Sequence, residues 1–109
     1  MSKLLFICSQ NKLRSPTAEQ VFSMDDRLEI RSAGLDKDAV NTLSSDDLQW
    51  ADIIFVMENT HQNKLSKKYS QYIRGKRVIC LNIPDDYDFM DSELVEILER
   101  VVPRYVGTY

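Results

Sequence analysis

The sequence predicts an α/β domain of three layers, α/β/α, built on a four-stranded parallel sheet. Two observations carry that prediction. Segments that read as strands alternate with segments that read as helices along the whole chain. Three of the four strand candidates are also continuous apolar runs. That is the pattern of a sheet covered by helices on both faces, where a sheet with one wet face would alternate.

The strands are expected at 4–7 (LLFI), 28–31 (LEIR, running into Ser32-Ala33-Gly34), 53–57 (IIFVM) and 78–81 (VICL). The first helix is expected over 16–24, with Ser15 as its cap and Pro16 in its first turn, a favoured opening. A short helix is expected over 45–50. The next, over 59–72, has Leu65, Tyr69 and Tyr72 at helical spacing. The last, over 92–102, carries a broad stripe of Leu94, Val95, Ile97, Leu98 and Val101, with Asp91 to cap it and Pro103 to end it. No repeat or linker interrupts the order, and residues 1–109 read as one domain.

Composition narrows the function classes. A hydrophobic fraction of 43% and a charged fraction of 28% are ordinary for a globular protein, and no apolar run approaches the ~20 residues of a membrane span. LLFIC is too short for a secretory core, so a cytoplasmic protein is expected. Cys8 and Cys80 are too few for a disulfide scaffold, and a single histidine, His61, excludes a multi-histidine metal site. A net charge of −3 makes nonspecific nucleic-acid binding a poor default.

Ligands of such sheets bind at the carboxyl ends of the strands, and Cys8 sits at that end of the first one. The loop from Cys8 to Arg14 joins a buried strand to a helix N-terminus, where backbone amides and the helix dipole converge on an anion. Arg14 adds a planar fork suited to two phosphate oxygens. The same positive surroundings favour Cys8 as a thiolate nucleophile. Ser15 is placed to bond the sulfur or cap the helix, and Asn11 to brace the loop from inside.

LLFICSQNKLRSPTAE resembles the phosphate-binding loop of the low-molecular-weight protein tyrosine phosphatases, in which a strand, Cys, five residues, Arg, Ser and Pro lead into a helix. Arg31-Ser32-Ala33-Gly34-Leu35 is similar to the turn after that family's second strand, and residues 51–57 to its third core strand. Pro84-Asp85-Asp86-Tyr87 resembles its acid loop. The likeness covers nearly the whole chain and points to a short, bacterial-type branch. It implies a metal-independent phosphomonoester hydrolase without cofactor, acting on a phosphate ester such as phosphotyrosine in a protein, as a monomer or weak dimer, with no nucleic-acid or membrane partner. Cys8 would be the nucleophile, Arg14 the transition-state clamp and Asp85 the general acid. Ser9, Gln10, Asn11, Lys12, Leu13 and Ser15 would surround the phosphate, Tyr87 would wall the cleft, and Ser32 and Asp86 would support the site. Asp86 remains a candidate for the acid, although motif alignment favours Asp85.

The sequence departs from the family at several points. Gln10 replaces a common glycine, so it must either accept backbone strain or sit in a slightly different loop. Leu13 replaces a frequent second cysteine, and Lys12 adds a cation at a usually neutral position. The chain is shorter between Gly34 and Asp52, where recognition elements and a loop-supporting histidine are expected to be missing. His61 reads as solvated, Trp50 as a packing anchor, Cys80 as a core residue and the basic stretch 64–77 as a solvated face, with docking of an acidic partner as the alternative. The alternatives to a hydrolase are a phosphate-binding module, an arsenate reductase, for which the relay cysteines are missing, and a cysteine-phosphorylated sugar-transport domain, against which Arg14 speaks.

Overall fold

The structure, a computed structural model, describes residues 2–106. Its elements run β1 (Ser2–Cys8), α1 (Arg14–Phe22), β2 (Leu28–Gly34), α2 (Ser45–Trp50), β3 (Ile53–Val56), α3 (Asn59–Ile73), β4 (Arg77–Cys80), α4 (Ser92–Val101) and α5 (Pro103–Val106). The four strands form one parallel sheet in the order β2-β1-β3-β4. This is the α/β sheet that the apolar runs predict.

Side-chain alternation along β1 and β3 sorts the core into two layers. Leu4, Phe6 and Cys8 join Ile53, Phe55 and Met57 on one face, under Ala18 and Phe22 of α1 and Leu94 and Leu98 of α4. Leu5, Ile7, Ile54 and Val56 point the other way, against Leu48 of α2 and Leu65 of α3. Phe55 is central to the first layer, stacked on Phe6 at 5.0 Å and met edge-on by Tyr105 at 6.2 Å. Chain order reverses between β1 and β3, which opens a crevice at their carboxyl ends. The Cys8–Arg14 loop fills it.

Several element ends differ from expectation. Helix α1 begins at Arg14, not at residue 16, and its cap position is Leu13, which makes no side-chain capping bond. Ser15 lies inside the first turn because its hydroxyl is engaged by Cys8 and Asn11. Pro16 is tolerated there because a first-turn N–H has no intrahelical partner. Pro103 follows the end of α4 but also opens the short α5. Asp91 caps α4 as expected, accepting from the Glu93 N–H at 2.9 Å. Trp50 is half-buried, with the Arg31 guanidinium over its ring at 4.3 Å. Cys80, as expected, packs against the core, half-buried on the edge strand at the side of the second layer, with its thiol 3.4 Å from Asn82 Oδ1.

Gly34 ends β2 opposite Cys8. A Cβ there would lie 2.7 Å from the Ser9 carbonyl oxygen and 2.6 Å from the Ala39 Cβ. Only glycine lets the edge of β2 come this close to the loop.

Truncating Phe55 would leave a void between two rings. Phe55→Ala is expected to lower the unfolding free energy by about 3–5 kcal/mol, read as a lower urea midpoint at unchanged slope.

Candidate active site

The loop after β1 turns at Asn11, whose φ of 56° is left-handed. Asparagine adopts that conformation more readily than most residues. Gln10 has no such φ, so of the two alternatives the loop takes the different path, with its left-handed turn on a neighbour suited to it. Gln10 is exposed, and its carbonyl accepts from the Val40 N–H at 3.0 Å.

The turn brings two donors to the Cys8 sulfur. The Asn11 N–H points at Sγ from 3.2 Å, and Ser15 Oγ lies 2.9 Å away. Ser15 Oγ accepts from Asn11 Nδ2 at 2.9 Å, which leaves its own proton for the sulfur.

Arg14 is 4% exposed. Its Nη1 donates to Glu58 Oε2 at 2.6 Å and to the Ile83 carbonyl at 2.8 Å, which uses both protons on that nitrogen. The Nε and Nη2 edge remains, a fork matched to two oxygens of one phosphate. The hydrogen bond from Arg14 holds the Glu58 carboxyl below its usual pKa of 4.5. Asp85 Oδ1 stands 3.8 Å from Nε, beyond direct hydrogen-bond range.

Sulfur, fork and carboxylate meet in a cavity of about 240 Å³ lined by Cys8, Ser9, Gln10, Lys12, Leu13, Arg14 and Asp85. Lys12 is exposed at its mouth. Two expected members lie elsewhere. Asp86 does not line the cavity, and Tyr87 packs half-buried against the first core layer instead of forming a cleft wall. Ser32 acts at one remove, donating to Glu19 Oε1 at 2.6 Å and so tying β2 to α1.

Three residues at the site escape the sequence reading. His61 is 1% exposed, not solvated. Its Nδ1 accepts from the Glu58 N–H at 3.2 Å, so Nε2 carries the proton and donates to Ser9 Oγ at 3.0 Å. Burial and the Arg14 charge push its pKa below 6.5 and keep the ring neutral. A histidine thus supports the loop after all. Glu58 is the second, and its three-residue spacing to His61 at the head of α3 is the one local signal that points to either. Thr17 is the third. Its buried hydroxyl donates to the Leu13 carbonyl at 2.6 Å and accepts from the Met90 N–H at 2.9 Å, joining the Cys8–Arg14 loop to the segment that bears Asp85.

No family model matches the sequence, and no curated protein matches it. Solved structures match it from end to end. The YwlE arginine phosphatase from Geobacillus stearothermophilus superposes with a TM-score of 0.75 and 16% identity, covering 97% of this chain and 94% of its own. The tyrosine phosphatase Wzb from Escherichia coli K30, in complex with phosphate, gives 0.76 and 23%, with 96% of each chain covered. The low-molecular-weight protein tyrosine phosphatase from T. tengcongensis gives 0.75 and 20%, covering 95% of this chain and 99% of its own. The fold is that of the low-molecular-weight protein tyrosine phosphatases. Among the described residues, no group of His, Cys, Asp and Glu is arranged to hold a metal ion, and no helix is long and apolar enough to cross a membrane.

The neutral, buried His61 makes stability depend on pH. The unfolded chain takes up its proton below 6.5, whereas the folded chain resists. Stability is therefore full above 6.5 and falls as pH drops towards the lower folded value. Glu58 adds a further loss below 4.5. Urea midpoints measured from about pH 7.5 to about pH 5 should fall for wild type and stay flatter in His61→Gln. Equal slopes would contradict the assignment.

Proposed function

We propose that this chain is a phosphomonoester hydrolase of the tyrosine-phosphatase type, working as one domain through a phosphocysteine on Cys8. The carrying observation is that one cavity holds a sulfur with two donors aimed at it, a guanidinium edge that makes no hydrogen bond and a carboxylate 3.8 Å from that edge. The matched phosphatases support the reading at the level of fold.

In this mechanism the Cys8 thiolate attacks phosphorus while the bond to the leaving oxygen breaks. Asp85, protonated, gives that oxygen its proton. The phosphoryl group passes under the Nε and Nη2 donors of Arg14 and the amides of residues 9–14, which stabilise its equatorial charge and make a metal ion unnecessary. Water then attacks the phosphocysteine, the Asp85 carboxylate accepts its proton, and the phosphorus–sulfur bond breaks to return the thiolate and free phosphate. Ser15 and Asn11 hold the sulfur, Glu58 holds Arg14, and His61 aims Ser9. Cys80 has no cysteine near it to relay oxidation, which disfavours an arsenate reductase.

Hydrolysis of p-nitrophenyl phosphate in the presence of a chelator tests this. Wild type should turn over, Cys8→Ser should be inactive, and Arg14→Ala should lose about 10³-fold or more. Asp85→Asn should lose about 10²-fold or more on alkyl esters and much less on p-nitrophenyl phosphate, with Asp86→Asn close to wild type. Phosphate binding that depends on Arg14 but comes without turnover would make the loop a phosphate sensor instead.

A further inference from the structure

A second groove opens beside the catalytic loop, about 540 Å³ in volume and lined by Leu35, Asp36, Lys37, Asp38, Lys64, Lys67 and Lys68. Its charge is opposite in sign to that of the chain. Four lysines and two aspartates make it net positive, in a protein whose overall charge is −3. Lys64, Lys67 and Lys68 lie three and four residues apart, so α3 presents them on one face, and all three are exposed. Among the described residues none of them, nor Lys37, is in an ion pair.

The groove is joined to the cavity at Cys8. The Asp36 N–H donates to the Ser9 carbonyl at 2.8 Å, and His61, at the head of the same helix, donates to the Ser9 hydroxyl. At 1.5 Å per residue, Lys64 and Lys68 lie about 4.5 and about 10 Å along α3 from His61. An extended peptide covers that span in about one to three residues. Lys12, exposed and without an ion pair, stands at the cavity mouth itself.

We infer that the substrate is a phosphorylated protein segment with acidic residues within about three positions of the phosphorylated side chain, seated by Lys64, Lys67 and Lys68. This rests on the phosphatase reading and names its substrate class. Exposed charge pairs are individually weak, so their sum is read in substrate preference, and it is screened by salt.

The test compares phosphotyrosine peptides whose flanking residues are glutamate or alanine, on the full chain, at about 50 mM and about 500 mM salt. The glutamate peptide should have a kcat/KM about tenfold higher at low salt, carried by KM and lost at high salt. The K64E/K67E/K68E variant should lose that preference while p-nitrophenyl phosphate turnover stays within about twofold. Equal kcat/KM for the two peptides, or a preference that survives the charge reversal, overturns the inference. Anisotropy of a fluorescent glutamate-rich peptide without phosphate separates this from failure of the chemistry. Salt-sensitive binding that the triple variant loses supports the groove even if no ester is hydrolysed. Tighter binding of a single-stranded oligonucleotide of equal charge overturns it.

Discussion

The site depends on how one buried cation is neutralised. Arg14 is 4% exposed, and an unpaired guanidinium at that depth would be heavily destabilising. Glu58 and the Ile83 carbonyl both bind the same nitrogen, Nη1. The first comes from the cap of α3 and the second from the segment after β4, so three parts of the chain meet on one side chain. The pairing also decides which edge of the guanidinium is left for a ligand. Burial thus makes Arg14 rigid, and the use of Nη1 for the structural bonds leaves the Nε and Nη2 edge without a hydrogen bond to the protein.

The same economy recurs around the sulfur. Asn11 turns the loop with its backbone, donates to Sγ with its N–H and holds Ser15 with its amide. Gly34 admits this loop against β2 by having no side chain. On the other flank, neutral His61 passes order from the start of α3 to Ser9. The loop is held from β2, α1 and α3, which is how a segment with little regular structure keeps its donors converging.

Most of the fold was legible because strands buried on both faces leave continuous apolar runs, and α4 leaves a stripe at helical period. The start of α1 was misread because Ser15 has the chemistry of a cap, while its hydroxyl is taken by a sulfur and an amide that local patterning does not bring together. Cys8, Asn11, Arg14 and Ser15 were visible as a motif because they lie within one loop. Glu58 and Ile83 are 44 and 69 residues from Arg14, and His61 is 52 from Ser9. Contacts across such separations leave no periodicity, so His61 read as solvated. Tyr87 was misplaced for a related reason, since an aromatic beside an acid motif serves equally well as core.

Thr17 gives the arrangement a mechanical property. Its hydroxyl touches Leu13 on one side and Met90 on the other, and it rides on α1. A small rotation of α1 would therefore carry the sulfur's loop and the Asp85 segment in the same sense. Thr17 thereby ties both segments to one helix, so a shift of α1 acts on the two together.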